Sequence, residues 1–152
     1  MHDPALSTAQ HRELIEALAL SHVLPHDTLP VEECLGRRLA VDVFSLIPLP
    51  PFTNSAMDGF AVRREDLEGE GPWTLPVAGD IPAGDTRENR LEKGQAWRIM
   101  TGAPIPQGAD TVVKVENTDH AAGIAQAPNT VEIRVAPKLG ENVRVAGEAL
   151  EA

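Results

Sequence analysis

The first residues that could do chemistry lie in a proline-led loop over residues 48–59. Asn54, Ser55 and Asp58 place three polar side chains within five residues, and Gly59 permits a tight exit. A carboxylate at Asp58 that faced a cleft could position a divalent cation or accept a proton. Asn and Asp side chains also commonly cap their own turns, and spacing alone favours this local interpretation.

The second group lies in a loop over residues 100–110, directly after an apolar run that contains Trp97 and Ile99. Thr101 and Gly102 combine a hydroxyl with a residue that lets a ligand approach the backbone closely. Arg98 could supply positive charge beside them. An ordinary proline-rich turn is the local alternative, which spacing alone again favours. Neither loop has the Gly-rich turn followed by Lys and Ser or Thr that a Walker-type phosphate loop needs.

The elements that position these loops begin with a helix. The pattern predicts it over residues 7–22, where Ser7 and Gln10 match a capping box. Its apolar stripe contains Leu14, Ile15, Leu18 and Ala19. A second, short helix is predicted for residues 30–36. Cys34 on that helix has apolar neighbours and is expected to be a small core residue.

From Leu39 onward the apolar period changes from that of a helix to that of a strand. Glycine and proline together make 25 of the 152 residues, which indicates many turns between short strands. We therefore expect antiparallel β structure, as a small barrel or sandwich. The predicted strands contain Val41 and Val43, Phe60 and Val62, Trp73 to Val77, Trp97 and Ile99, Val113 and Val115, Val131 to Val135, and Val143 and Val145.

Charge and composition exclude several classes of protein. The net charge is −10, and no third of the chain is basic, which argues against nucleic-acid or membrane-surface binding. A single cysteine excludes an internal disulfide within these residues. The five histidines show no metal-ligand spacing except the loose pair His22 and His26. With no transmembrane stretch and no secretory signal in the sequence, we expect a cytoplasmic protein.

Four segments resemble the bacterial molybdopterin molybdenumtransferases, or MoeA family, which is homologous to a domain of gephyrin and of its plant counterpart. They are PLPPFTNSAMDGFAV (48–62), LPVAGDIPAG (75–84), RIMTGAPIPQGADTVVKVE (98–116) and GENVRVAGEAL (140–150). The resemblance runs from about residue 7 to residue 152. The runs NSAMDG and MTGAP are specific together, and their presence in this order favours the functional interpretation of both loops.

The resemblance implies an enzyme that inserts molybdenum from molybdate into adenylylated molybdopterin and releases AMP, with Mg²⁺ assisting. It implies a homodimer whose cleft lies between an α/β domain of one protomer and the β-barrel domain of the other. Asp58 would position magnesium, molybdate or the leaving phosphate, and Thr101 would bond an oxyanion with help from the amide of Gly102. The candidate residues are Asp58 and Thr101 as catalytic, Asp58 as metal ligand, and Asn54, Ser55, Arg98 and Gly102 as substrate-binding.

The expected fold class is α+β, mainly β. We expect an N-terminal helix over residues 1–27, an extended β dimerisation lobe from residues 28–45 and 139–152, and a β-barrel-like lobe over residues 46–138. The chain ends at Ala152, before the α/β domain that holds the pterin in the family. We therefore expect an N-terminal portion (a truncated chain, a gene fragment or a split protein) that is inactive alone and leaves its helix stripe partly uncovered. The alternative function is a non-catalytic dimerisation or scaffold module.

Overall fold

The structure is a computed structural model that describes residues 6–22, 25–121, 123 and 126–151. Contacts between residues divide the chain into two units, Met1–Val43 and Phe44–Ala152. Most of the regular structure lies in the second unit.

The first unit is built around helix α1, Thr8–Ser21. The predicted capping box is confirmed, because Ser7 Oγ accepts from the Gln10 amide at 3.3 Å and Gln10 Oε1 accepts from the Ser7 amide at 2.9 Å. This reciprocal pair satisfies two backbone donors at the start of the helix. Leu14 and Leu18 are 49% and 69% exposed, so the apolar stripe is uncovered as predicted.

Three predictions for residues 25–45 are wrong. The second helix is reduced to a 3-10 turn, Val31–Glu33, and Cys34 after it is exposed instead of buried, because a single turn packs no apolar face. Residues 39–45, all of them described, contain no strand, and Val41 and Val43 are 75% and 73% exposed. Alternation marks side chains that could be buried together, but a strand forms only when a neighbouring strand takes its hydrogen bonds.

The described residues of the second unit contain seven strands. They are β1 Asn54–Ser55, β2 Gly59–Val62, β3 Trp73–Ile81, β4 Ala96–Ile99, β5 Thr111–Lys114, β6 Thr130–Ile133 and β7 Val143–Arg144. Five of them form one sheet in the order β5-β2-β4-β3-β6, and β1 pairs with β7 in a second, two-stranded sheet. Strand β7 thus pairs with residues 54–55.

One pairing departs from the antiparallel expectation, since β3 and β4 run parallel. A parallel pair needs a crossover connection, and residues 82–95 supply it. The register shifts between Val77 and Asp80, so β3 carries an irregularity where it meets β4.

The two edges of the five-stranded sheet are joined by the chain that leaves β5. Residues 117–119 run beside β6, where Arg134 N donates to Asn117 O at 2.8 Å and Asp119 N donates to Glu132 O at 3.1 Å. The sheet therefore curls into a small barrel-like unit around one apolar cluster. That cluster contains Phe60, Val62, Leu67, Leu75, Ala96, Val113, Val115, Val131 and Ile133. The predicted fold class, mainly β with an N-terminal helix, is confirmed.

Strand β2 is buried on both faces, which fixes the position of the loops beside it. Phe60 and Val62 point into the barrel-like core, while Ala61 belongs to a second apolar cluster with Ile99 and Ala103. Gly59 at the start of β2 lies opposite Ile99 at the end of β4. The residue before β2 and the residues after β4 must therefore lie side by side.

Candidate functional site

The antiparallel pairing of β2 and β4 brings Asp58 against Thr101. Asp58 Oδ1 accepts from the Thr101 backbone amide and from Thr101 Oγ1, each at 2.7 Å. Both residues are exposed at the surface. The carboxylate thus bonds across to the second loop. The local interpretation of its spacing required it to cap its own turn instead, and it does not do so.

Hydrogen bonds to the charged form of a carboxylate favour that form. The backbone bond from Thr101, followed by its hydroxyl bond, lowers the pKa of Asp58 below its ordinary value of 3.8, and the charge of Arg98 adds to this effect. Partial burial raises this pKa; its effect is smaller than that of either Thr101 bond but larger than that of the Arg98 charge. Asp58 is therefore negatively charged at neutral pH.

Ser55 links the two loops from a fully buried position. Its amide donates to Ala103 O at 2.9 Å, and its carbonyl oxygen accepts from Gly102 N at 2.8 Å. Its hydroxyl donates to Met57 O at 2.6 Å, and this local bond shapes the turn that leads to Asp58. Ser55 therefore contributes to the geometry of the site from beneath its surface.

Two other candidates, Gly102 and Asn54, make their hydrogen bonds within the two loops. The Gly102 amide was expected to help bind an oxyanion, but it donates to Ser55 O, so this donor is already in use. Gly102 has φ of 80°, a left-handed conformation that glycine adopts without strain. The buried Asn54 side chain donates to Phe52 O at 3.0 Å, which is a local turn contact of the kind that spacing alone favoured.

Arg98 lies on β4 and is 7% exposed. Its Nη1 lies 3.4 Å from Asp80 Oδ2 on the neighbouring strand β3, and Asp80 and Arg98 are register partners. Its positive charge also helps to lower the pKa of Asp58. Arg98 is thus a largely buried cation beneath the loops, held against a carboxylate.

The side chains around Asp58 could supply one carboxylate ligand to Mg²⁺, but they could not surround the ion with protein ligands alone. The described part of the chain holds no cluster of three or more His, Cys, Asp or Glu side chains that could bind a metal. Within the same residues, the hydrogen bonds of the Asp58 carboxylate all go to Oδ1, which leaves Oδ2 for a cation. Magnesium is commonly bound through one or two carboxylates together with substrate phosphates. Asp58 fits that arrangement.

Sequence reasoning missed two residues at the site. Asp80 pairs with Arg98; it lies in the quoted segment LPVAGDIPAG, but the sequence analysis assigned it no role. Asn142 lies in the GENVRVAGEAL segment, and its carbonyl oxygen accepts from Ala56 N at 2.9 Å. The quoted segment could have drawn attention to Asn142, but its contact with the first loop depends on the β1–β7 pairing, which the sequence did not predict.

The chain was compared with known families and structures. Residues 6–152 match the family model described as the MoeA N-terminal region, domain I and II. The chain belongs to this MoeA N-terminal family. The resemblance predicted from the loop motifs is therefore confirmed, and the match extends over almost the whole chain.

The MoeA relatives are longer proteins. "Molybdopterin molybdenumtransferase 2" of Mycobacterium tuberculosis is 44% identical over 128 residues, which cover 82% of this chain and 30% of the relative. A molybdopterin molybdenumtransferase of Nostoc is 39% identical over 152 residues, again 30% of its length. The chain thus spans about a third of the length of the curated relatives that it matches.

Solved MoeA structures share the fold. A crystal structure of a molybdopterin biosynthesis MoeA protein from Pyrococcus horikoshii OT3 matches with a TM-score of 0.68 at 29% identity, covering 82% of this chain and 32% of that one. A second structure from the same species gives 0.65 at 31% identity, over 91% of this chain and 35% of that one. Among the residues that the structure describes, no helix is long and apolar enough to cross a membrane.

Proposed function

We propose that this chain is the N-terminal portion of an enzyme that inserts molybdenum from molybdate into adenylylated molybdopterin, with release of AMP, in molybdenum cofactor biosynthesis. Membership of the MoeA family supports the pathway. The observation that carries the site assignment is the double hydrogen bond from Thr101 to Asp58 Oδ1. It joins the two loops whose motifs define the resemblance.

The proposed role of Asp58 follows from its charge. Both molybdate and the phosphate of an adenylylated pterin are anions, which a carboxylate repels at close range. A lowered pKa keeps Asp58 ionised, so of the three partners considered for it, Mg²⁺ is favoured over direct contact with either anion. When bound, Mg²⁺ would neutralise charge on phosphate or molybdate oxygens. Asp58 would be one of its ligands through Oδ2.

Thr101 has two proposed roles. Its amide and hydroxyl hold the carboxylate in place, which orients Oδ2 toward a ligand. To donate to an oxyanion as well, its hydroxyl must exchange Asp58 for the ligand as acceptor. Such preorganised donors are worth most where charge develops during reaction. Arg98 would add positive potential beneath the site, and Asn54, Ser55 and Gly102 would hold the loops that a substrate contacts.

The exposed apolar side chains support a homodimer, and the cytoplasm is its proposed setting. Val41 and Val43 are among them, together with Phe44 at 79% and Leu46 at 97% exposure. Apolar side chains at such exposure favour a protein partner over solvent. The proposed dimerisation lobe, residues 28–45 with 139–152, would be covered by a partner protomer.

The second candidate function is a non-catalytic dimerisation or scaffold module, and the same exposed residues favour it. A fusion experiment separates the two. Residues 6–152 replace the matching N-terminal part of the Mycobacterium tuberculosis relative, and the chimera is assayed for AMP release and for activation of a cofactor-free molybdoenzyme. We expect the chimera to be active and the 152-residue chain alone to be inactive. A folded chimera without activity would overturn the catalytic proposal.

A further inference from the structure

Asn142 has an unusual backbone at a point where three segments meet. Its φ is 59°, and among the described residues it is the one residue other than glycine with a positive φ. This left-handed conformation costs a non-glycine residue roughly 1 kcal/mol or more, although Asn tolerates it better than most. Strained backbone persists where surrounding contacts impose it, and such positions cluster at functional sites.

Two hydrogen bonds hold Asn142 and direct it at the first loop. Its Nδ2 donates to Val112 O on the buried strand β5 at 2.9 Å. Its carbonyl oxygen accepts from Ala56 N at 2.9 Å, directly after the last residue of β1. The side chain therefore anchors the residue to the barrel, and the left-handed backbone presents a carbonyl to the turn that precedes Asp58.

The contacts continue from that turn to the second loop. Ser55, next to Ala56, exchanges backbone hydrogen bonds with Gly102 and Ala103. Asp58 then bonds to Thr101. The two loops are thus held together by Ser55 at one point and by Asp58 at another, and Asn142 holds the first loop from its other side.

We propose that Asn142 is a positioning residue that holds the turn over residues 55–58 so that the Asp58 carboxylate meets Thr101. Only the catalytic consequence of this role depends on the proposed function. The positioning itself can be measured in the 152-residue chain. A residue in this role should affect the site more than it affects the stability of the rest of the fold.

Hydrogen exchange of backbone amides in the 152-residue chain tests the proposal. Asn142→Ala removes the side-chain donor and disfavours the left-handed backbone, whereas Asn142→Gly removes the donor but keeps the backbone conformation accessible. We expect Asn142→Ala to speed exchange at Ala56 and Thr101 about tenfold more than at Val131 in β6. Asn142→Gly should restore part of that protection, and the carboxyl resonance of Asp58 should titrate nearer its ordinary pKa in the Ala variant than in the Gly variant.

Asn89→Ala is the matched control, because it also removes an asparagine amide bonded across a loop, here to Asp85 Oδ2 at 3.1 Å. It should leave exchange at Ala56 and Thr101 unchanged. Equal acceleration at Ala56, Thr101 and Val131, no acceleration, or no recovery in Asn142→Gly would each overturn the proposal. If Asn142→Ala does not fold, Asn142→Gly decides alone: preferential acceleration at Ala56 and Thr101 supports the role, and uniform or absent acceleration overturns it. None of these readouts uses molybdenum transfer, so they are independent of the proposed function.

Discussion

Thr101 donates two hydrogen bonds to one oxygen of Asp58, through its backbone amide and through its hydroxyl, each at 2.7 Å. One oxygen of the carboxylate is therefore used for positioning, and the other accepts no hydrogen bond from the residues that the structure describes. The amide bond is available to any residue except proline at position 101, whereas the hydroxyl bond requires Thr or Ser.

Thr101→Val should raise the pKa of Asp58 part of the way toward 3.8, because the hydroxyl bond is lost while the backbone bond remains. A lowered pKa contributes stability that is present above the unfolded value and lost as pH falls through the folded value. The variant should therefore lose less stability than the wild type on acidification below about pH 4. Carbon-detected NMR titration of the Asp58 carboxyl measures the shift. Thr101→Ser, which keeps the hydroxyl, should titrate like the wild type, and a Val variant that also did so would contradict the prediction.

Asp58→Asn should impair the active chimera far more than it impairs folding. The amide keeps the volume of the side chain but removes its charge, and loss of one preorganised electrostatic contact typically lowers the rate by about 10²–10³. Turnover in the reconstitution assay measures the first effect, and thermal unfolding measures the second. Glu116→Gln, at an exposed position, is the control for loss of a surface charge and should leave turnover unchanged. A normal rate with a lowered Tm would show that Asp58 is only a turn residue.

Gly59→Ala should be severely destabilising, whereas Gly102→Ala should be mild. A Cβ at position 59 would lie 2.0 Å from Val113 O, so β2 and β5 would have to separate, at a cost above roughly 3 kcal/mol in the free energy of unfolding. A Cβ at position 102 would have no atom within 4 Å. The loss in the free energy of unfolding would come from the positive φ alone, about 1–2 kcal/mol. Urea unfolding of the two variants measures the difference. Equal losses would show that the β2–β5 contact is not the constraint.

The chain should form a dimer, or a larger assembly, at micromolar concentration. Val43 is 73% exposed, and Val43→Lys replaces its apolar side chain with a charged one. This variant should associate at least tenfold more weakly, a loss of about 1.4 kcal/mol in binding free energy. Thr86→Lys adds the same charge at another exposed position and should leave association unchanged. Sedimentation equilibrium gives the dissociation constants. A wild-type chain that stays at 16.3 kDa at ~100 μM would rule the prediction out.

The sequence predicted those features that depend on local pattern. The capping box of Ser7 and Gln10 is a short-range signal, and apolar alternation located the strands around Phe60, Trp97 and Val131. Pattern fails where a distant partner decides the outcome. Residues 39–45 alternate like a strand and contain none, while Asn54 and Ser55 show no alternation and pair with Arg144 and Val143.

The candidate site divides in the same way. The motifs identified Asp58 and Thr101, but residue types and spacing could not show that their side chains meet, since the contact depends on the register of β2 against β4. Asp80 and Asn142 lie in quoted segments but were assigned no role, because each acts through a neighbour brought in by sheet pairing. The engaged amide of Gly102 is likewise a property of the folded loops and not of its sequence.

The two tryptophans of the chain pack against different apolar clusters. Trp73 packs against the barrel-like core around Phe60, and Trp97 packs against the cluster that contains Ile99 and Ala103, beneath the two loops. Each indole NH donates to a carbonyl oxygen in an adjoining segment, Trp73 to Glu68 and Trp97 to Arg90, both at 3.1 Å. Because the chain has no tyrosine, its intrinsic fluorescence comes from these two rings. Replacing either one with Phe leaves a single fluorescent tryptophan. The fluorescence of Trp97 alone would then report unfolding of the apolar cluster beneath the loops, and that of Trp73 alone would report unfolding of the barrel-like core.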